Sequence, residues 1–146
     1  MKKSIVVAVL LVSLSVTSAF ANNEKVSPET LASFNSEFSS AKEVTWQTGS
    51  NYYRAEFSMN EQKIFAYYNL EGELVSVARY ISALQLPINL FTDLKNDYGK
   101  YWISDLFEVS NSNGVQYYVT LEDADTKLVM LSDGRGWSNY SKNKKV

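Results

Sequence analysis

The chemistry open to this sequence is narrow, because it holds no histidine and no cysteine. Ser–His–Asp triads, thiolate nucleophiles and the common zinc sites all need one of those side chains. Carboxylates remain. Glu122, Asp123 and Asp125 form the densest acidic run. A calcium loop asks for alternating oxygen ligands, a glycine bend and a distal glutamate. This run lacks the last two and reads as a hairpin turn. Glu56 stands two residues from Arg54, where a strand would put both on one face. Solvated strand charges are far commoner there than a catalytic acid. Gly134-Arg135-Gly136 is the nearest thing to a phosphate loop, and it also sits where a turn belongs. No catalytic residue, metal ligand or cofactor is expected, so the chain reads as non-enzymatic.

The side chains that stand out are aromatic: 10 Tyr, 7 Phe and 3 Trp. They concentrate in extended segments of alternating character. Tyr53, Ala55, Phe57 and Met59 alternate with Tyr52, Arg54, Glu56 and Ser58. Ile64, Ala66, Tyr68 and Leu70 alternate with Phe65, Tyr67 and Asn69, and Val115, Tyr117, Val119 and Leu121 with Gln116, Tyr118 and Thr120. If Tyr53, Phe57, Tyr68 and Tyr117 face a core, then Tyr52, Phe65, Tyr67 and Tyr118 project from the opposite face, with Arg54 and Glu56 among them. Two readings of that second face stand side by side. It is a set of cross-strand pairs that stabilise an exposed sheet, or it is a recognition surface, since Tyr and Arg are enriched at binding hot spots. Trp46 and Trp102 fit either face.

Elements that would position these residues can be read in chain order. Met1, Lys2 and Lys3, the apolar run Ile5 to Val16, and Ala19-Phe20-Ala21 predict a signal peptide over 1–21. The run is shorter than the ~20 apolar residues of a membrane helix. Polar Asn22-Asn23-Glu24 follows, with no cysteine to acylate. Loss of Lys2 and Lys3 with the signal takes the net charge from −2 to −4, which argues against nucleic acid or an anionic membrane as partner. Ser27-Pro28-Glu29 predicts a helix start, with Leu31, Phe34 and Phe38 on one stripe. Strands follow over 43–47, 52–59, 64–70 and 74–81, divided by turn clusters that include Glu71-Gly72. Leu86-Pro87 opens a second helix carrying Leu90, Leu94 and Tyr98, and Gly99 stops it. Four more strands follow, with turns at Asn111-Ser112-Asn113-Gly114, 122–126 and Asp133-Gly134.

The pattern is αββββ, twice, over 27–83 and 86–140. Neither copy is large enough to bury its own sheet face, which predicts one shared domain over 22–140. The expected fold class is α+β: tandem αββββ units forming one antiparallel sheet, two helices packed on one face and the other face open. Residues 141–146 read as a disordered basic tail.

Several local motifs carry a family likeness: Phe34-x-x-x-Phe38-x-x-Ala41 leading to Trp46, then Tyr53-x-Ala55-x-Phe57, then Ala66-x-Tyr68-Asn69-x-Glu71-Gly72-x-Leu74, and Tyr80-Ile81-Ser82-Ala83 before Leu86-Pro87. In these the chain resembles the PepSY-like, β-lactamase-inhibitor-like domains of exported bacterial proteins. Gly99-Lys100-Tyr101-Trp102 departs from that pattern in the second copy. The resemblance implies helices on a single sheet, a periplasmic or secreted address, and protein binding by analogy. It carries over no inhibitory residue. The function expected is a non-enzymatic, inhibitor-like module that binds a protein or peptide of the cell envelope. Its expected binding residues are Tyr52, Arg54, Glu56, Phe65, Tyr67 and Tyr118. The alternatives are an envelope structural or self-associating protein and a small-ligand or edge-strand binding domain. A monomer or weak homodimer is expected, with no nucleic acid partner and no membrane association after signal cleavage.

Overall fold

The computed structural model of the protein describes residues 26–145. The expected signal peptide, 1–21, lies outside the described residues. Eight strands follow one another in chain order across one sheet: β1 (Lys42–Thr48), β2 (Tyr53–Met59), β3 (Gln62–Tyr68), β4 (Leu74–Tyr80), β5 (Trp102–Asn111), β6 (Gly114–Glu122), β7 (Thr126–Ser132) and β8 (Ser138–Lys144). Helix α1 (Pro28–Glu37) precedes the first four and helix α2 (Ile88–Asp97) the last four. The architecture is α+β with antiparallel neighbours. The chain divides into two compact units between Val77 and Ala78, inside β4 and ahead of the expected repeat junction at 83–86.

In the first unit, Ser27 caps α1 by accepting the Thr30 amide at 3.2 Å, with Pro28 at the first helical position. A helix of 10 residues is not stable alone and needs tertiary packing. Phe34 supplies it, buried with Trp46, Ala55, Phe57, Ile64, Ala66 and Tyr68. Trp46 and Phe57 each meet the Phe34 ring edge-on at 5.1 Å. Tyr68 donates its hydroxyl to Glu37 Oε2 at 2.7 Å, tying β3 to the last turn of α1. The β2–β3 hairpin places Asn60 and Glu61 at φ 52° and 62°, the mirror-image turn whose twist suits two antiparallel strands. In the next hairpin Gly72 sits at φ 85°, and a Cβ there would lie 3.0 Å from the Thr30 amide nitrogen. Glycine is required at that point both by backbone conformation and by the close approach of α1.

The second unit builds its core from aliphatic side chains. Leu90 and Leu94 of α2 are buried with Ile81, Leu86, Leu106, Val119, Leu121, Leu128 and Met130. A short 3₁₀ turn, Ala83–Gln85, precedes α2, where the sequence suggests only a helix start. The Ser82 amide donates to Gln85 Oε1 at 2.8 Å and holds this turn. Trp137 Nε1 donates to the Leu90 carbonyl at 3.0 Å, joining α2 to the chain before β8. One expectation is overturned here. Residues 141–144 are not a disordered tail but the end of β8, paired to β7 from Leu131↔Ser138 to Thr126↔Lys144. Lys145 continues the hold, its amide donating to the Asp125 carbonyl at 2.8 Å.

Candidate functional site

Strict alternation along β2 and β3 sends two sets of side chains to opposite faces of the first unit. Ala55, Phe57, Ile64, Ala66 and Tyr68 join the α1 core. The complementary set is Arg54, Glu56 and Ser58 on β2, paired respectively with Tyr67, Phe65 and Lys63 on β3. Five of the six expected binding residues therefore gather on one patch: Tyr52, Arg54, Glu56, Phe65 and Tyr67. The sixth, Tyr118, lies in the second unit.

The patch is not the bare aromatic surface that alternation suggests. Phe65 and Tyr67 are 3% and 2% exposed, and Tyr118 is 4% exposed. The physical reason is cover by neighbours on the same face. The Arg54 guanidinium lies 5.4 Å from the Phe65 ring centre and Lys63 Nζ 5.8 Å from it. Long basic side chains commonly lay their apolar stems over such surface and keep the charge at the rim. The Tyr52 ring stands 6.2 Å from that of Tyr67. Tyr118 has Phe107 and Leu131 as its cross-strand partners and the Tyr140 ring edge-on at 6.0 Å. Solvent thus meets Tyr52, Arg54, Glu56 and Lys63, above a floor made by Phe65 and Tyr67.

The charges on this layer pair both diagonally from β2 to β3 and along β2 itself. Glu56 and Lys63 form a close ion pair, and Arg54 Nη2 lies 3.7 Å from Glu56 Oε2. Arg54 Nε is buried and has no hydrogen-bond partner among the described residues. Lys63 was not among the expected binding residues, although it shares the parity of Phe65 and Tyr67 and could have been found by the same alternation. The uncertain tryptophans separate: Trp46 is buried in the α1 core, while Trp102 is exposed, with Lys145 Nζ 4.5 Å from its ring.

In the second unit the Tyr118 hydroxyl is buried without a hydrogen-bond partner among the described residues, and burial pushes its pKa up to about 12. Burial also raises the Asp105 carboxyl, with Lys127 opposing the shift and Glu122 adding to it. The acidic run behaves as a turn: Asp123 Oδ1 accepts the Asp125 and Thr126 amides at 2.9 and 2.7 Å, and those bonds lower its pKa. Among the described residues, no three carboxylates or other ligating side chains are grouped to hold a metal ion. No described helix is long and apolar enough to cross a membrane.

No family model and no curated protein matches this sequence. Solved structures do match its fold. A DUF2874 family protein from Bacteroides uniformis superposes with a TM-score of 0.72 at 16% identity, covering 81% of this chain and 88% of that one. A BLIP-like protein from Bacteroides fragilis gives 0.67 at 15% identity over 81% and 85% of the two chains. A Bacteroides eggerthii protein provisionally described as periplasmic gives 0.72 at 13% identity over 86% and 90%. At these identities the likeness concerns the fold. It agrees with the β-lactamase-inhibitor-like half of the sequence resemblance, and nothing in it speaks to the PepSY-like half.

Proposed function

We propose that the chain is an exported, non-enzymatic binding module that engages a protein or peptide through the face of β2 and β3 opposite α1. The carrying observation is the layering of that face: Arg54, Glu56, Lys63 and Tyr52 held over the buried rings of Phe65 and Tyr67. A rigid apolar floor fixes the polar groups above it, so they meet a partner with little side-chain entropy left to lose. The BLIP-like and periplasmic-type structural neighbours support an inhibitor-like role at a periplasmic or secreted address.

The test is affinity capture from envelope extract with two variants. Arg54→Gln/Lys63→Gln keeps much of the apolar cover over Phe65 and removes only the charges, so it should melt within about 1 kcal/mol of the parent, and should lose the captured partner. Phe65→Ser should lower the melting temperature sharply, because it opens the floor. A partner retained in full by the double variant sinks the reading. A second reading, self-association, is favoured by Leu84 and Ile88, 83% and 78% exposed on the segment leading into α2. Sedimentation of the parent and of Leu84→Ser/Ile88→Ser decides it: a strict monomer removes it.

A further inference from the structure

Resting on that reading of the β2–β3 face, we infer that what the face recognises is a carboxylate, presented as an aspartate or glutamate side chain on a partner segment, with Arg54 as its receptor. A guanidinium carries five N–H donors in a planar fork and cannot shed its charge. In Arg54 this capacity is largely unspent. Its buried Nε has no hydrogen-bond partner among the described residues, and its ion pair with Glu56 is long at 3.7 Å. Glu56 is engaged more closely by Lys63 on the neighbouring strand. Two cations thus share Glu56, while the other acid reaching this face, Glu43, accepts from the Ser58 hydroxyl at 3.2 Å, so Arg54 has no carboxylate of its own.

The surroundings raise the value of supplying that charge. The guanidinium lies over Phe65, 5.4 Å from the ring centre, with its Nε side buried, so a ligand carboxylate meets the Nη end of the fork. Beneath lie buried rings in place of water, which strengthens any charge-assisted hydrogen bond made above them. Lys63, more than half exposed, stands on the same face to steer an acidic segment in. A cationic partner would face Arg54 and Lys63 together. An apolar one would bury the unspent donors of Arg54 at a desolvation cost.

The experiment follows the Arg54 Nε–Hε signal by NMR in the intact chain. A capped peptide of alternating glutamate and glycine is titrated, then its glutamine–glycine counterpart. The glutamate peptide should give a saturable shift at Arg54. The glutamine peptide should bind about tenfold more weakly or worse, since a charged hydrogen bond contributes about 1.5–3 kcal/mol. Arg54→Gln should abolish the difference between the two peptides, whereas Arg54→Lys should keep a reduced preference for glutamate, which guards against a folding artefact in the first variant. Equal binding of both peptides overturns carboxylate recognition and leaves the wider binding reading standing. Undiminished glutamate preference in Arg54→Gln overturns Arg54 as the receptor. No binding of either peptide overturns the inference, while partner capture tests the wider reading separately.

Discussion

The two units share one plan and are filled differently. Around α1 the buried set is largely aromatic, with Phe34, Trp46, Phe57 and Tyr68 in mutual ring contact, and Phe38 packed 4.8 Å from Phe57. Around α2 it is aliphatic, with leucines from helix and strands and Met130. The opposite faces differ as well. In the first unit buried rings lie under charged side chains. In the second, Phe107, Val109, Tyr118 and Val129 are buried, Tyr80 and Tyr140 pack on two of them, and the charges of that parity, Asp105, Glu122 and Lys127, gather toward one end of the strands. The same strand plan can therefore hide both of its faces or present one of them, depending on which residues hold the second parity. The recognition site proposed above belongs to the first unit for that reason.

The largest effect should come from opening either core. Phe57→Ala should cost about 3–5 kcal/mol and Leu90→Ala about 2–5. The phenylalanine should be the more expensive of the two, because it also loses edge-on and tilted ring partners worth about 0.5–1.5 kcal/mol each. Denaturant unfolding of the two variants checks this. A leucine deletion that costs more than the phenylalanine one breaks the idea that the ring cluster is the tighter core.

Two of the buried tyrosines, Tyr68 and Tyr118, give a sharper comparison. Tyr68 spends its hydroxyl on Glu37, so Tyr68→Phe should cost about 1.5–3 kcal/mol, the range for a hydrogen bond to a charged group. Tyr118 has no hydrogen-bond partner for its hydroxyl among the described residues, so Tyr118→Phe should be neutral or stabilising. The pH dependence follows from the same burial. Tyr118 titrates near 12 in the fold against about 10 when unfolded. Its contribution is therefore whole below pH ~10 and is lost as pH rises through ~12. Above pH ~10 Tyr118→Phe should gain on the parent steadily. A melting-temperature series that shows no such gain removes the burial assignment of that hydroxyl.

Much of this could be read from residue types. Ser27-Pro28, the Phe34 stripe, Glu71-Gly72 and the alternation of β2, β3 and β6 each name a local conformation whose cause lies within a few residues. Alternation also assigned Phe57 and Tyr68 correctly to the α1 face. It could not show what covers the other face, because the cover over Phe65 comes from the chance reach of Arg54 and Lys63. Nor could composition carry the last strand past residue 140. Ser138–Lys144 has one aromatic among polar residues, the mark of a solvated tail. Backbone pairing with β7 holds it instead, and a polar, lysine-bearing strand is what suits a sheet edge that must not pair with other chains. At the other edge, the bulge in β1 and Glu43 at φ 55° serve the same end, which argues against edge-strand addition as a binding mode.

The smallest predicted effect concerns what pins that last strand. Lys145 Nζ lies 2.7 Å from Glu122 Oε2 and donates to the Asp123 carbonyl at 2.7 Å. The hydrogen bond from Lys145 is the first cause that lowers the Glu122 pKa, followed by one from Ser104. A lowered carboxyl stabilises the fold above the ordinary carboxylate range, and that contribution fades as pH falls through the folded pKa. Lys145→Ala should therefore cost under ~1 kcal/mol near neutral pH, since the ammonium is partly solvated. The gap between variant and parent should close as the solution is acidified. Hydrogen exchange should locate the loss: amides of β8 paired to Thr126 and Lys127 should open faster, while those of β6 paired to β5 stay protected. If β6 opens as readily as β8, the lysine is holding the second unit as a whole, and the contrast between a detachable edge and a closed core fails.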